Sequence, residues 1–408
     1  MRGEGEAVDN ATEVLAGIRR IKRPDQPGNP ALLAGLARLD TVASQREAGR
    51  LLAGVPVDRI APEQHRWRPL RVAIAGTFTA EGIAPLLRVH LLRAGIDARI
   101  HVCGFNQLLA QLSDPGSTLA GFQPDVTLCL LHDGAFLPQA WDPTAVSALR
   151  DSLTHRLAMV EQAVTGFAAR TAGAVVLHTV PLSPTEYRRV IGLKSRTALG
   201  RVWRELNLRL LDLAELAPAV HTLDLETVLM DQQDPVRDDR LYQFASMAWT
   251  PATELTYARE AAAFCRAVAG LSKKVLVVDL DNTLWGGVLG DDGPAGIEIG
   301  GRYPGNCYTE MQRGLVALRQ QGVLLAVCSK NEQSAVEDVF AHHPELVLRS
   351  DDFVALVANW GRKDHNIRQL AQTLNLGLEM PNFIVLPCRR LDRFSRQMLS
   401  IHVLSRNV

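Results

Sequence analysis

Two aspartates one residue apart follow a short apolar run at residues 276–281, which read Leu-Val-Val-Asp-Leu-Asp. Side chains alternate between the faces of an extended strand, so Asp279 and Asp281 should point to the same side. Two carboxylates brought together repel each other unless a cation or a proton separates them. Mg²⁺ prefers oxygen ligands and is the cation usually found between such carboxylates. The pair therefore indicates a metal site at a strand end; the alternative is two solvated acids at a surface turn.

Further polar residues follow later apolar runs in an order that suits phosphoryl chemistry. The next long run ends in Cys328-Ser329-Lys330-Asn331, and Lys363 stands just before a helical segment. A carboxylate can attack phosphorus, a metal and a lysine can neutralise oxygen charge, and a hydroxyl can orient the transferred group. Ligands of open α/β sheets bind at the carboxyl ends of the strands, where these residues are expected to meet.

Two sets of strands alternating with helices must position these residues. The first set is predicted at 70–76, 97–104, 124–131, 173–180 and 219–229, and the second at 274–280, 323–329, 346–350 and 382–386. Strands that alternate with helices of ten or more residues form βαβ units and parallel sheets. The fold class predicted is therefore α/β, with two Rossmann-like parallel-sheet domains that meet near residue 270.

Composition excludes several classes of function. The 408 residues are 47% apolar and 22% charged, which is typical of a globular protein, and 44 basic side chains balance 44 acidic ones. A neutral chain lacks the electrostatic footprint of a nucleic-acid-binding protein. The six cysteines form no close pairs, which disfavours zinc and a disulfide framework. Without a signal peptide or a long apolar run, we predict a cytoplasmic protein with no membrane or nucleic-acid partner.

Two stretches of the second half carry a resemblance to a known family. Residues 275–293, VLVVDLDNTLWGGVLGDDG, and 322–332, GVLLAVCSKNE, resemble the haloacid dehalogenase (HAD) superfamily, and more narrowly its FkbH-like family (subfamily IIIC). That family comprises glyceryl transferases of polyketide and related assembly lines. The likeness extends to residues 344–378 and, upstream, to 76–100 and 238–251.

The resemblance implies a domain organisation. Residues 1–66 are expected to form a helical segment, 67–240 an SGNH-like α/β domain, and 241–270 a helical linker. Residues 271–408 are expected to form a HAD-like domain that is short at its C-terminus compared with many relatives.

The resemblance also implies roles for individual residues. Asp279 would be the nucleophile that takes the phosphoryl group, and Asp281 the general acid and base, with its backbone carbonyl also on Mg²⁺. Ser329 would contact phosphoryl oxygens, and Lys363 would balance the negative charge. Four further residues would bind substrate or phosphate, or serve only as turn and cap residues that support the loops: Asn282, Thr283, Lys330 and Asn331.

The activity implied is the loading of a glyceryl unit from 1,3-bisphosphoglycerate onto an acyl carrier protein. The substrate is a phosphorylated three-carbon acid, and the partner carries a phosphopantetheine arm. Cys328 would hold the glyceryl group as a thioester. Positive charge on Lys330 and Lys363 would then lower the pKa of its thiol. The alternative is that Cys328 only ends a strand as a small buried residue.

The first domain departs from the SGNH hydrolase pattern. Thr77 stands where such a hydrolase carries its nucleophilic serine, and His132 and His178 follow strands without a matched serine. We therefore expect a non-catalytic domain that docks the carrier protein or encloses the site.

The second domain departs from the HAD pattern at its fourth element. The acids that complete the Mg²⁺ site fall on Leu386 and Pro387, and Asp392 comes several residues late. The sequence therefore predicts weak or lost Mg²⁺ binding and slow or absent phosphatase activity. A metal-independent acyl transferase that uses Cys328, or a non-catalytic scaffold that binds a carrier protein, remain the alternatives.

Overall fold

The protein forms two compact units, Met1–Ala269 and Gly270–Val408. The structure is a computed structural model that describes residues 2–61, 65–272, 275–374 and 383–386, with the backbone alone for 2–10 and 383–386. Each unit is built on a parallel sheet with helices, so the predicted α/β class with two parallel sheets is confirmed. None of the helices described could cross a membrane, because none combines the required length with the required apolar character.

The first unit alternates strands and helices along most of its length. Its strands are β1 (Arg68–Gly76), β2 (Ile96–Val102), β3 (Val126–Leu130), β4 (Ala174–His178) and β5 (Val220–Leu223). Its helices are α1 (Arg2–Ile21), α2 (Leu32–Leu36), α3 (Val42–Leu51), α4 (Ile83–Arg93), α5 (Leu108–Ser113), α6 (Thr118–Phe122), α7 (Asp133–Phe136), α8 (Val146–Ala168), α9 (Pro184–Arg188), α10 (Leu193–Leu216), α11 (Leu225–Val228), α12 (Asp239–Ala245) and α13 (Pro251–Val268).

The five strands pair in the order β2-β1-β3-β4-β5, and every pairing is parallel. All five residues of β3 are buried, as expected for a central strand covered on both faces. The large core of this unit gathers side chains of α5, α8 and α10 on the sheet. A separate apolar cluster joins α1, α2 and α3 to α4, so the N-terminal helices pack on the α/β layer.

The second unit has a four-stranded parallel sheet in the order β8-β7-β6-β9. Its strands are β6 (Val275–Val278), β7 (Leu324–Ser329), β8 (Phe353–Ala358) and β9 (Phe383–Leu386). Its helices are α14 (Leu289–Asp292), α15 (Gly305–Gln320), α16 (Gln333–His342) and α17 (Lys363–Thr373). The order places β6 between β7 and β9, so the residues after β6 have a strand end on either side.

The strand predicted at residues 346–350 is wrong, because β8 begins only at Phe353. Leu346 and Leu348 are buried in the apolar core, as their sequence pattern required. The backbone N–H groups of Val347 and Leu348, however, donate to the Gln312 side chain at 2.9 and 3.1 Å. Gln312 therefore supplies the hydrogen bonds that a neighbouring strand would otherwise give.

Candidate active site at the ends of β6 and β7

The Asp279 carboxylate is the centre of a polar cluster in the second unit. It lies directly after the fully buried strand β6 and is 8% exposed. Its Oδ1 accepts hydrogen bonds from the Leu280 N–H at 3.0 Å and the Ser329 hydroxyl at 2.9 Å. Its Oδ2 accepts one from the Lys363 ammonium at 2.5 Å. A nearly buried carboxylate thus has a compensating charge and three donors, which offset the cost of its burial.

Strand register explains why these residues meet. β6 and β7 pair in parallel with Val278 opposite Val327, so the residues that follow leave the sheet side by side. Lys363 is the first residue of α17, the helix that follows the neighbouring strand β8. Three segments far apart in sequence therefore converge at one edge of the sheet, as parallel topology requires.

Asp281 is anchored to the loop that follows it. Its Oδ1 accepts hydrogen bonds from the Trp285 indole and the Leu289 N–H, both at 3.1 Å. Its Oδ2 accepts one from the Asn331 side-chain amide at 2.9 Å. The same amide also donates to the Ser329 hydroxyl at 3.2 Å, so Asn331 connects the two aspartates through one network.

Among the described residues, three predicted binding side chains make no hydrogen bond to either carboxylate. Asn282 adopts a φ of 54°, and its side-chain oxygen accepts a hydrogen bond from the Gly287 N–H at 3.3 Å, which shapes the loop. The Thr283 hydroxyl is buried and finds no hydrogen-bond partner among the described residues. Lys330 is exposed, and within the described part of the chain its ammonium has no hydrogen bond or ion pair to the cluster. A substrate-binding role for these three stays a prediction.

The expected activation of Cys328 is wrong. The residue is 3% exposed and packs against Leu370 and Ala371 of α17. Burial raises the pKa of the Cys328 thiol above its ordinary value; Lys363 lowers it, but the Asp279 carboxylate opposes that effect. The sequence correctly suggested a neighbouring lysine, but it could not show how completely the thiol is desolvated.

The oxygen atoms at this edge are of the kind that binds Mg²⁺. Within the side chains that the structure describes, no three His, Cys, Asp or Glu residues gather as a metal site. β9 lies beside β6 with Leu386 paired to Val278, so this strand ends next to the point where Asp279 begins the loop. For Leu386 only the backbone is described, and Pro387 and Asp392 lie outside the described residues.

His132 and His178, the two histidines singled out from the sequence of the first unit, differ in their surroundings. Both ring nitrogens of His178 bond to backbone: Nδ1 lies 2.8 Å from the Thr179 carbonyl oxygen, and Nε2 accepts from the Leu131 N–H at 3.1 Å. His178 is therefore structural. Among the described residues no serine bonds to His132, but Thr77 itself does, with Oγ1 2.8 Å from Nδ1. That pair joins two residues 55 positions apart and has no local signal in the sequence.

Sequence reasoning also missed Trp285 and Asn366. Trp285 is fully buried and holds Asp281 through its indole nitrogen. A tryptophan four residues after an acid, inside a glycine-rich turn, was the available signal. Asn366 is buried, lies within hydrogen-bonding reach of the Cys328 thiol, and donates to the Asn359 side chain at 2.8 Å. The sequence feature that could have indicated Asn366 is its position on α17, one helical turn after Lys363.

Comparison with known proteins gives one informative structure. No family model and no curated protein matches the chain. The chain is similar to the crystal structure of the N-terminal part of the protein BF1531 from Bacteroides fragilis, which contains a phosphatase domain complexed with Mg. The two are 25% identical, with a TM-score of 0.71, over 90% of this chain and 92% of the other.

Proposed function

We propose that the second unit removes a phosphoryl group from a small phosphorylated acid, with Asp279 as the nucleophile. The observation that carries the proposal is the Asp279 carboxylate held between the Ser329 hydroxyl and the Lys363 ammonium at the end of a parallel strand. The similarity to a structure with a phosphatase domain complexed with Mg supports the same conclusion. This chemistry is that of the HAD superfamily, which the sequence motifs resemble.

In the first step an Asp279 carboxylate oxygen attacks phosphorus, and the bond from phosphorus to the leaving oxygen breaks. Water then attacks the aspartyl phosphate, which releases phosphate and restores the carboxylate. Lys363 and Ser329 already contact the nucleophile, so they are placed to neutralise and orient the transferred oxygens. Asp281 would give a proton to the leaving oxygen and take one from water. Its bonds to Trp285 and Asn331 fix its position during both steps.

Mg²⁺ fits the donor set as a weakly held ion. The Asp279 carboxylate and the Asp281 backbone carbonyl would hold it, and waters would complete the shell, since Mg²⁺ keeps several waters and often uses one or two carboxylates. When bound, it would neutralise charge that develops on the phosphoryl oxygens. With Leu and Pro where the fourth HAD element carries acids, we expect weak affinity.

The finer assignment that we propose is FkbH-like loading of a glyceryl unit from 1,3-bisphosphoglycerate onto an acyl carrier protein. The Cys-Ser-Lys-Asn sequence at 328–331 and the closeness of Lys363 to the Cys328 thiol support it. The burial of that thiol and its raised pKa favour a second candidate, a diverged member that binds the carrier protein without forming a thioester. Both candidates are proposed as FkbH-like proteins, and the glyceryl-transfer experiment described below distinguishes them.

The phosphoryl step is tested by Asp279→Asn with p-nitrophenyl phosphate and Mg²⁺. Loss of the nucleophile should lower kcat by at least about 100-fold, because the remaining groups bind phosphate but cannot attack it. Asp291→Asn, which removes an exposed acid of α14 in the same unit, should leave kcat unchanged. Equal kcat values for wild type and Asp279→Asn would overturn the proposed nucleophile.

The glyceryl step is tested by intact-mass spectrometry. The protein is incubated with 1,3-bisphosphoglycerate, Mg²⁺ and a phosphopantetheinylated carrier protein, and both proteins are weighed. A glyceryl adduct on wild type that Cys328→Ala abolishes would support thioester transfer. Carrier binding without any adduct would favour the scaffold, and phosphate release without an adduct would favour a phosphatase alone.

A further inference from the structure

The first unit contains a cavity that opens beside a hydroxyl and an imidazole. Its volume is about 670 Å³, and it lies at the carboxyl ends of β1 and β3, where Thr77 and His132 leave the sheet. Volumes of this size are typical of sites for small molecules. None of its residues belongs to the cluster around Asp279, so the cavity is a separate candidate site.

Thr77, His132 and Tyr242 form a chain of hydrogen bonds at the cavity wall. Thr77 Oγ1 lies 2.8 Å from His132 Nδ1, and His132 Nε2 lies 3.2 Å from the Tyr242 hydroxyl. The Leu130 carbonyl, at 3.3 Å, is the more distant alternative acceptor for the Thr77 hydroxyl. Thr77 is partly exposed and His132 is buried, so the hydroxyl can meet a ligand while the imidazole is shielded from water.

We propose that Thr77 is the nucleophile and His132 the general base of a second active site, which hydrolyses carboxylic esters with short acyl chains. A hydroxyl bonded to an imidazole that a third group orients is the arrangement that activates oxygen nucleophiles. Tyr242 is the positioning residue, because it acts on Thr77 only through His132.

Burial keeps the His132 imidazole neutral but also makes it a weaker base than an ordinary histidine. Burial lowers the pKa of His132 to about 4; the charge of Arg237 acts in the same direction, and Asp133 opposes both. The imidazole is therefore neutral near pH 7 and can accept a proton. When Nε2 donates to the Tyr242 oxygen, Nδ1 carries the lone pair that faces Thr77.

Several packing features hold the hydrogen-bonded Thr77, His132 and Tyr242 side chains in place. Arg237 pairs with Asp133 at 3.0 Å, and its guanidinium lies 3.7 Å from the centre of the Tyr242 ring. Gly134 allows the close approach, since a β-carbon there would lie 2.6 Å from both His132 Nε2 and the Tyr242 hydroxyl. A pair of buried charges and a required glycine thus support one hydrogen bond, between His132 and Tyr242.

The cavity walls indicate the class of substrate. Phe105, Leu109 and Met159 give it an apolar side that suits an acyl chain. Asn106 lines the same cavity, and its side-chain amide can donate to the carbonyl oxygen of a bound ester. His155 and Arg156 line the cavity as well, so it suits a carboxylic ester without requiring that the rest of the substrate be uncharged.

The reaction balances with water as the only co-substrate. Thr77 Oγ1 attacks the carbonyl carbon and passes its proton to His132 Nδ1. The tetrahedral adduct then expels the alkoxide, which takes that proton and leaves as the alcohol. Water attacks the acyl-threonine ester in the same way, which releases the carboxylic acid and restores the Thr77 hydroxyl.

The test uses the full chain with p-nitrophenyl butyrate. Thr77→Val keeps the shape of the side chain and removes only the hydroxyl, so kcat/KM should fall by at least about 100-fold, and His132→Gln should cause a similar loss. Thr77→Ser should retain activity. Thr79→Ala, whose hydroxyl donates to the Ala245 carbonyl, is the matched control and should stay within roughly twofold of wild type.

Two further readouts separate catalysis from structure. Tyr242→Phe and Gly134→Ala should lower kcat by roughly tenfold with a smaller change in KM, because both disturb the orientation of His132 although both residues also line the cavity. Peptide mapping after rapid quenching should locate a butyryl group on Thr77. The proposal is overturned if wild type and Thr77→Ser release no nitrophenol above buffer, or if Thr77→Val hydrolyses the ester as fast as wild type.

Discussion

The Thr283 side chain belongs to the aspartate motif but its hydroxyl has no partner among the described residues. A buried hydroxyl without a hydrogen bond costs free energy, whereas valine has the same shape without the polar atom. Thr283→Val should therefore leave the free energy of unfolding unchanged or raise it by about 1 kcal/mol. Urea unfolding curves of both proteins would measure the difference.

The matched control for Thr283 is Thr309→Val in the same unit. The Thr309 hydroxyl accepts a hydrogen bond from the Gly300 N–H at 3.1 Å, so its removal should lower stability by about 1 kcal/mol. If Thr283→Val keeps its stability but loses phosphatase activity, the Thr283 hydroxyl binds substrate. The interpretation of Thr283 as a residue with only a structural role would then be wrong.

At the scale of elements, His178 links β4 to β3. Its Nε2 accepts the Leu131 N–H, so protonation of the ring would break that bond inside a fully buried site. Burial lowers the pKa of His178 from 6.5 to about 4. Because the folded pKa is the lower one, its contribution to stability is complete above pH 6.5 and is lost as the pH falls towards 4.

Acidification should therefore destabilise the first unit in part through His178. Between about pH 7 and about pH 5 this histidine should account for a loss of about 2 kcal/mol. His178→Gln should be less stable than wild type at neutral pH, but acidification should lower its free energy of unfolding by less. Urea unfolding of both proteins at each pH would measure the difference. His221→Gln, an exposed histidine on β5, is the control and should keep the wild-type slope. Parallel slopes for wild type and His178→Gln would contradict this account.

Apolar runs predicted most strands because both sheets are parallel and buried. The run at 124–131, for example, contains β3, whose five residues are all inaccessible. The apolar run at 346–350 was wrongly predicted to be a strand because burial alone does not make one. The Gln312 side chain accepts its backbone hydrogen bonds instead.

At the scale of the whole molecule, topology determined how much of the candidate site could be foreseen. The order of strand ends along the sequence placed Asp279, Ser329 and Lys363 together, because parallel strands end at a common edge. The Thr77 to His132 pair could not be foreseen, and the sequence left open whether Cys328 is an activated or a buried thiol. Both depend on the paths of loops and on side-chain packing, which no local pattern records.

The same topology makes the fourth HAD element testable. β9 starts about a hundred residues after β6 in sequence but pairs with it directly, with Leu386 opposite Val278. Acids introduced at the end of β9 should therefore join Asp279 in binding a cation. We expect Leu386→Asp/Pro387→Asp to raise Mg²⁺ affinity by at least about tenfold, since a second carboxylate adds both charge and a ligand.

Isothermal titration with Mg²⁺ would measure this change. Leu386→Asn/Pro387→Asn is the matched control, because it has nearly the same shape without the charge and should bind Mg²⁺ as weakly as wild type. Phosphatase activity should rise with affinity in the aspartate variant at limiting Mg²⁺, since occupancy would then limit the rate. If wild type already binds Mg²⁺ as tightly as the aspartate variant, Asp279 and its present neighbours suffice, and the missing acids do not weaken the site.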